Sequence, residues 1–130
     1  MIQIKVGGKL IALIIKAKTQ PKINQFITDP HNPLQLGFLR FSKNRQVKPH
    51  QHRALDKTTH QNQEFIYVVS GQILAEFFYK GRTFVKHLLN PGDCLLQLQG
   101  GHGFTMLKPT KLITIKQGPY SSRQREKIEI

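Results

Sequence analysis

Two histidines stand one residue apart in the stretch VKPHQHR, at His50 and His52. On a β-strand, residues i and i+2 point to the same face, so both imidazoles would project in one direction. Such a pair can hold a metal ion, but an H-x-H spacing also arises by chance in a chain with six histidines. The pair predicts a site only if further ligand-type side chains join it.

Two further residues, Glu64 and His102, are candidates to join the histidine pair. Glu64 opens the apolar run EFIYVVSG, where strand alternation puts it on the same face as Ile66. If that face is the interior, the carboxylate needs a cation or hydrogen bonds. His102 lies between glycines in GGHGF, where a side chain can be aimed without steric competition. The four candidate ligands are therefore His50, His52, Glu64 and His102. Nitrogen and oxygen ligands of this kind suit Fe, Mn, Ni, Cu or Zn and leave coordination positions open for a small molecule.

The elements that must position these side chains are predicted to be strands. No window of a dozen residues carries a 3.6-residue apolar stripe with caps, so helix signals are almost absent. Short β-type runs separated by Gly, Pro and Asn dominate, which predicts an all-β sandwich or closed barrel. The predicted strands are IQIKV, LIALII, QFIT, LQLGFLRF, EFIYVV, QILAEFFY, RTFVKHLL, CLLQLQ, GFTML and KLITIK.

Several turns follow from local chemistry. YKGRT joins two apolar runs through Gly81, so residues 72–89 are predicted to form a hairpin. NPGD places Pro91 and Gly92 at the central positions of a type II turn before the Cys94 strand, and KPTK marks another turn. The polar tail SSRQREKIEI is predicted either to end in an edge strand or to be disordered.

Three stretches taken in order resemble the two motifs of the cupin superfamily: KPHQH, EFIYVVSG and NPGDCLLQLQGGHGF. Glu64 and Gly71 fit the Glu-to-Gly spacing of the first motif, and Gly92, Asp93 and His102 match anchors of the second. The ending TIKQGPY is similar to that of small single-domain bacterial cupins associated with polysaccharide or sugar-nucleotide gene clusters. The resemblance covers about residues 34–120. It implies a double-stranded β-helix, the jelly-roll cupin barrel, with a metal near its mouth.

The chain departs from the cupin pattern in two places. Eleven residues, RALDKTTHQNQ, separate His52 from Glu64 where the family usually has three or four, and LQGGH replaces the usual Pro-x-Gly-x-x-His step. Met106 stands where an Asn often follows. The expanded loop leaves open whether Glu64 or Gln63 reaches the metal, and whether His60 competes for it.

Each candidate ligand also has a structural interpretation. His50 and His52 could be surface residues of an edge strand, and His102 a turn histidine with one hydrogen bond. Glu64 could pair with a lysine or arginine, since buried charges find partners. The remaining histidines have no motif around them: His31 is predicted in a loop and His87 on a strand surface.

Length and composition set the remaining expectations. At 130 residues and 14.9 kDa, one domain over residues 1–130 is expected, with strands before residue 34 in the barrel or a dimer interface. Cys94 is a lone cysteine and is predicted to be a buried strand residue, so a reducing cytoplasm is expected. The apolar run Leu10–Ile15 is too short for an export signal or a membrane span and is predicted to be a buried strand.

The net charge of +13 favours an anionic ligand by electrostatic steering. The leading hypothesis is therefore a small metal-binding cupin that acts on or binds a small anionic carbohydrate or related metabolite, as an isomerase, epimerase or oxygenase would. The metal would be a divalent Fe, Mn, Ni or Zn ion. Two alternatives are a non-catalytic binding module and a basic β-barrel that binds nucleic acid, although the basic residues form no dense patch. A homodimer is expected because the apolar N-terminal strands would otherwise leave an exposed edge.

Overall fold

The structure is a computed structural model that describes the backbone of residues 1–130 and all side chains except those of Gln124 and Arg125. Over this backbone the chain forms strands and one short helix: β1 (Ile2–Val6), β2 (Lys9–Ile15), β3 (Gln25–Phe26), β4 (Gly37–Phe38), β5 (Glu64–Ser70), β6 (Ile73–Tyr79), β7 (Arg82–Leu89), β8 (Cys94–Gln97), β9 (Gly101–Met106), β10 (Lys111–Lys116) and α1 (Arg123–Glu126). The prediction of an all-β chain is confirmed.

The chain divides into two compact units. Residues 1–19 and 61–130 form one, here called the sandwich unit, and residues 20–60 form the other, the loop unit. The single domain expected over residues 1–130 stays a prediction. No helix in the described part of the chain is long and apolar enough to cross a membrane.

Two antiparallel sheets make up the sandwich unit. The five-stranded sheet has the order β1-β2-β8-β5-β10 and the three-stranded sheet the order β7-β6-β9. Neither sheet closes on itself. Their facing side chains form one core, in which Ile14, Ile66 and Leu95 from the first sheet pack with Ala75 and Phe77 from the second. Burial of these apolar faces is the main force that holds the two sheets together.

Strand periodicity explains which side chains enter this core. In β5, Ile66 and Val68 are buried whereas Tyr67 and Val69 are exposed, so the predicted alternation is confirmed. The run Leu10–Ile15 lies in β2, where residues 11–15 are all buried, as expected for a strand covered on both faces. His87 differs from its prediction: it is half-buried on β7 and its ring meets Phe77 edge-on at 6.3 Å between centroids.

The predicted turns at YKGRT and NPGD are present, whereas the KPTK stretch bends only at Lys108. Lys80 and Gly81 both have positive φ between β6 and β7, which matches the twist of a two-residue hairpin. Asp93 N–H donates to Asn90 O at 3.0 Å, closing the NPGD turn with Gly92 at a φ of 86°. Cys94 begins β8 and is only half-buried. Burial and then the neighbouring Asp93 carboxylate raise the pKa of its thiol.

The loop unit contains much less regular structure than predicted. QFIT and LQLGFLRF contribute only the two-residue strands β3 and β4, which pair with each other. Polar side chains hold the connection between them: Gln35 Nε2 donates to Asp29 O at 2.9 Å and Asn32 O at 2.8 Å. His31 lies in this loop as predicted and contacts the Asp29 carboxylate. The local hydrogen bonds compete with strand pairing and keep the hairpin short.

In the described backbone the C-terminal tail does not form the edge strand considered for it, and disorder stays a prediction. Backbone bonds from Glu126 and Lys127 N–H to Ser122 and Arg123 O make α1, and Glu126 Oε1 accepts a hydrogen bond from Ser121 N–H at 2.9 Å. Residues 127–130 follow without regular structure.

Gly71 permits the chain to leave β5 for the opposite sheet at β6. Its φ is 90°, and a Cβ built there would overlap Pro109 O and Thr110. Gly81 has a φ of 74° but open space around it.

We expect Gly71→Ala to lower the free energy of unfolding by about 2–4 kcal/mol, because strain and overlap add. Gly81→Ala should cost only about 1 kcal/mol from φ alone. Urea unfolding measures both, and equal losses would contradict the predicted overlap.

Asp93 ties the NPGD turn to the end of β2. Its carboxylate, only 2 % exposed, accepts hydrogen bonds from Ala17 and Asn90 N–H at 2.8 Å each and forms an ion pair with Lys16. Desolvation opposes ionisation, but these partners outweigh it and lower the pKa of Asp93. Lys16 Nζ also donates to Leu88 O at 3.1 Å.

We expect Asp93→Asn to destabilise the protein by about 2–3 kcal/mol, because Lys16 and two backbone donors lose a carboxylate. The matched control is Glu76→Gln, which removes the acid of the more exposed Glu76–Lys86 pair and should cost less than about 1 kcal/mol. Denaturant unfolding at pH 7 measures both values. Similar values for the two variants would contradict a structural role for Asp93.

Candidate functional site

A row of polar residues crosses one end of the five-stranded sheet on its inner face. Gln97 of β8 is the register partner of Glu64 of β5, and Glu64 is the partner of Lys116 of β10. The same alternation that buries Ile66 and Val68 turns Glu64 inward. The hydrophobic core between the two sheets therefore ends at this row of polar side chains.

The Glu64 carboxylate has three partners. His102 Nε2 lies 3.1 Å from Oε2, Thr114 Oγ1 donates to Oε1 at 2.8 Å, and Lys116 Nζ lies 3.4 Å from Oε1. His102 belongs to β9 of the three-stranded sheet, whereas Glu64, Thr114 and Lys116 belong to the five-stranded one. The Glu64–His102 pair thus links the two sheets by a polar contact.

The electrostatics of the pair favour an ionised carboxylate. Burial by itself would raise the pKa of Glu64, but hydrogen bonds from His102 and Thr114, together with the charges of His102 and Lys116, lower it to about 2. Because a carboxylate can only accept hydrogen bonds, the Nε2 atom that faces it must carry a proton. Stacking on Phe104, with centroids 4.8 Å apart, fixes the other side of the ring.

Three buried polar atoms near the pair have no hydrogen-bond partner among the residues that the structure describes. They are Gln97 Oε1, His102 Nδ1 and Gln117 Nε2. Such atoms are uncommon in a folded chain, since burial without a partner costs about 1–3 kcal/mol each. All three belong to residues that line one cavity.

That cavity, of about 570 Å³, lies within the sandwich unit. One wall is the polar row with Gln63 and Gln117, and another is β9 around His102. Gly101 and Gly103 of β9 also line it, and the side chain of Ile130 packs closely over Gly101. The C-terminal segment contributes the cations Arg123 and Lys127 to the lining. The volume fits a small polar metabolite.

Two of the four predicted metal ligands, Glu64 and His102, are together. The structural alternative for Glu64 is realised as well, because Lys116 also contacts it. Gln63 lines the same cavity, but its side chain bonds Leu98 O and Gln61 at 3.3 Å, so Glu64 is the residue that meets His102.

The other two predicted ligands, His50 and His52, belong to the loop unit. Residues 48–53 form no strand there, yet the two rings lie 5.3 Å apart at 70°, and His50 Nδ1 contacts Lys48 O at 2.8 Å. Both side chains are exposed, as is that of His60. Among the described side chains, no three His, Cys, Asp or Glu residues are grouped so as to hold a metal ion. The four-ligand set stays a prediction.

The sequence reasoning missed four polar residues of the site: Gln97, Thr114, Lys116 and Gln117. KLITIKQ shows strand alternation, so Thr114 and Lys116 could be placed on one face of a strand from sequence. Their meeting with Glu64 depends on the β5–β10 register, which the sequence pattern leaves undetermined.

Comparison with protein-family models, curated proteins and solved structures gave no match for this chain.

The lowered pKa of Glu64 makes stability depend on pH. The carboxyl group has a pKa near 4.5 in the unfolded chain and about 2 in the folded chain, so as pH falls the unfolded state binds the proton first. The stabilisation is complete above pH 5 and is lost as the pH falls to about 2. Allowing for partial solvent contact, we expect Glu64 to supply about 2 kcal/mol at pH 7.

Comparing urea unfolding of the wild type and Glu64→Gln from pH 7 to pH 2 measures this contribution. The difference between them should shrink over that window. Glu129→Gln, at a carboxylate that is 90 % exposed, is the control and should leave the profile unchanged. A constant wild-type-to-Glu64→Gln difference across the window would contradict the coupling.

Proposed function

We propose that this chain is a small cupin-type protein that binds a small anionic carbohydrate or related metabolite in the cavity beside Glu64 and His102. The observation that carries the proposal is the cavity of about 570 Å³, whose wall holds the Glu64–His102 pair and Lys116. Amide side chains and cations are part of its lining, so a ligand with hydroxyl groups and a negative charge would find partners there.

The path of the chain supports a jelly-roll arrangement. Successive strands alternate between the two sheets at the β5–β6, β7–β8, β8–β9 and β9–β10 connections. Four of the residues that carry the cupin resemblance are compatible with this path: Gly71 and Gly92 lie at turns, and Glu64 and His102 are in contact. His50 and His52 lie outside any strand. The resemblance and the strand path are independent observations, which is why we combine them.

An anionic ligand is favoured by charge. The chain carries a net charge of +13. Lys116, Arg123 and Lys127 line the cavity together with the acids Glu64, Glu126 and Glu129. Glu64 engages Lys116 and Glu129 engages Arg123 at 3.5 Å, while none of the described acids pairs with Lys127. Lys127 and the overall field would attract a carboxylate or phosphate to the cavity.

A divalent transition metal is part of the proposal. Glu64 and His102 provide one oxygen and one nitrogen donor, one from each sheet, which suits Fe, Mn, Ni or Zn, and His50 and His52 are the proposed remaining ligands. When bound, such an ion supplies a Lewis acid for a sugar oxygen. To bind this metal ion, Glu64 and His102 would give up their contact with each other.

The Glu64–His102 pair also suits a proton transfer. When no metal occupies the pair, the carboxylate holds Nε2 and stabilises a positive charge on the ring, and Nδ1 is the other ring nitrogen that could take a proton. An isomerase or epimerase needs such a base beside a sugar carbon. This observation makes proton transfer the reaction class that we favour.

A cytoplasmic homodimer completes the proposal. β1 forms one edge of the five-stranded sheet, and an exposed edge strand is a natural place for a second copy to pair. Light scattering that gives a monomer mass at working concentration would reject the dimer without affecting the ligand proposal.

Elemental analysis together with calorimetric titration of nucleotide sugars tests the function. We expect a stoichiometric divalent metal and at least one ligand, with both lost or weakened at least tenfold in His102→Ala, because an anchoring polar group contributes on this scale. His50→Ala should lose the metal, and His31→Ala, in an exposed loop, is the matched control. Circular dichroism checks that each variant folds.

Other outcomes of the same experiment point to the alternatives. Metal-free protein that still binds a sugar phosphate tightly would indicate a non-catalytic binding module. Binding of a nonspecific oligonucleotide that falls steeply with salt would indicate a nucleic-acid-binding protein, because phosphate contacts release counterions. Absence of both metal and ligand would refute the proposal.

A further inference from the structure

The C-terminal segment forms one wall of the cavity and carries two adjacent cations there. Arg123 and Lys127 both line the cavity, and Lys127 N–H donates to Arg123 O at 2.9 Å, so the two residues lie one helical turn apart. Side chains with this spacing are neighbours on one side of a helix. Both side chains are exposed, so a ligand that enters the cavity can reach them.

The two acids of the same wall differ in what they engage. Glu126 Oε1 accepts hydrogen bonds from Ser121 N–H at 2.9 Å and from Ser121 Oγ at 3.3 Å, so this carboxylate holds the turn that leads into α1. Glu129 Oε1 instead lies 3.5 Å from Arg123 Nη2, and among the described side chains Arg123 is its one ion-pair partner. Glu129 therefore occupies a cation that could otherwise bind a ligand.

The contact between Arg123 and Glu129 can be displaced. Their side chains are 75 % and 90 % exposed, and an ion pair so open to water is formed only about half to four-fifths of the time. A phosphate monoester carries a charge of about −1.5 to −2 at pH 7, which exceeds that of a carboxylate, and its oxygens match the parallel N–H donors of a guanidinium. A phosphate group in the cavity is therefore expected to replace Glu129 on Arg123.

Ile130 keeps Glu129 at the wall of the cavity. The side chain of Ile130 packs closely over Gly101, beside Phe78, and both of these residues line the cavity. A Cβ at residue 101 would overlap Ile130, so this contact needs the glycine. Glu129 directly precedes Ile130 and is held near Arg123 by it, and a carboxylate tethered in this way competes at a high effective concentration.

We propose that Arg123, with Lys127 beside it, binds the anionic group of the ligand, and that Glu129 is an internal competitor that occupies Arg123 until this group displaces it. The inference rests on the proposed function and identifies how the same cavity takes up an anion. Phosphate esters are the favoured ligand class, because they carry more charge than the carboxylate they replace and bind a guanidinium through two oxygens.

Calorimetric titration with glucose 1-phosphate, galactose 1-phosphate and uridine diphosphate glucose tests the role of Arg123. Arg123→Gln removes one charge from an exposed side chain, and we expect the probe that binds the wild type most tightly to bind about tenfold more weakly, because a charge-assisted contact contributes on this scale. The matched control is Lys111→Gln. It removes one charge from an exposed lysine of β10 that does not line the cavity, so it changes only the overall field.

Glu129→Gln tests the competitor. It should tighten the same probe about two- to fivefold, which is the factor by which release of Arg123 raises its available fraction. Asp56→Asn, at an exposed acid of the loop unit, changes the net charge equally and is the control. In the Arg123→Gln background, Glu129→Gln should tighten binding no more than Asp56→Asn does, because no guanidinium remains to compete for. Circular dichroism checks that each variant folds.

The outcomes separate this inference from the function on which it rests. If a probe binds the wild type and Arg123→Gln weakens it no more than Lys111→Gln, the assignment of Arg123 is overturned while anion binding in the cavity stands. Equal tightening by Glu129→Gln with and without Arg123 would overturn the competitor role, because it would be an effect of net charge alone. If none of the three probes binds the wild type, the proposed anionic-carbohydrate function fails and the inference fails with it.

Discussion

The burial of one carboxylate, that of Glu64, constrains the whole site. An ionised group between two sheets is tolerated only if its desolvation is offset, and here His102, Thr114 and Lys116 offset it from three directions. Two of these partners belong to β10 and one to β9. The contacts of this one carboxylate therefore join the ends of both sheets. The cavity lies beside these polar contacts, at the edge of the apolar core.

The scaffold around the carboxylate depends on a few positions at which the chain leaves a strand. Gly71 permits the passage from β5 to β6 close to Pro109 and Thr110. Asp93 joins the turn before β8 to the end of β2 through Lys16 and two backbone N–H groups. Gly71 lies far along the chain from Pro109 and Thr110, and Asp93 lies far from Lys16 and Ala17. They fix the strands that carry Glu64 and Gln97 without belonging to the cavity themselves.

The site combines a charged pair with neutral amides. Glu64, His102 and Lys116 set the electrostatic potential of the site, which acts on any anionic ligand. Gln97 and Gln117 are neutral, and their amide orientations are fixed by backbone partners.

The sequence by itself determined the strand content, the β6–β7 hairpin at Gly81, the NPGD turn and the inward direction of Glu64, because these follow from local alternation and turn chemistry. It failed for QFIT and LQLGFLRF, where side-chain hydrogen bonds between near neighbours outweigh strand propensity. Only the tertiary structure decided that Glu64 meets His102, Thr114 and Lys116, and that Gln97 and Gln117 keep unpaired amide atoms. Those facts depend on strand register and sheet order, which arise from long-range packing that no local pattern encodes.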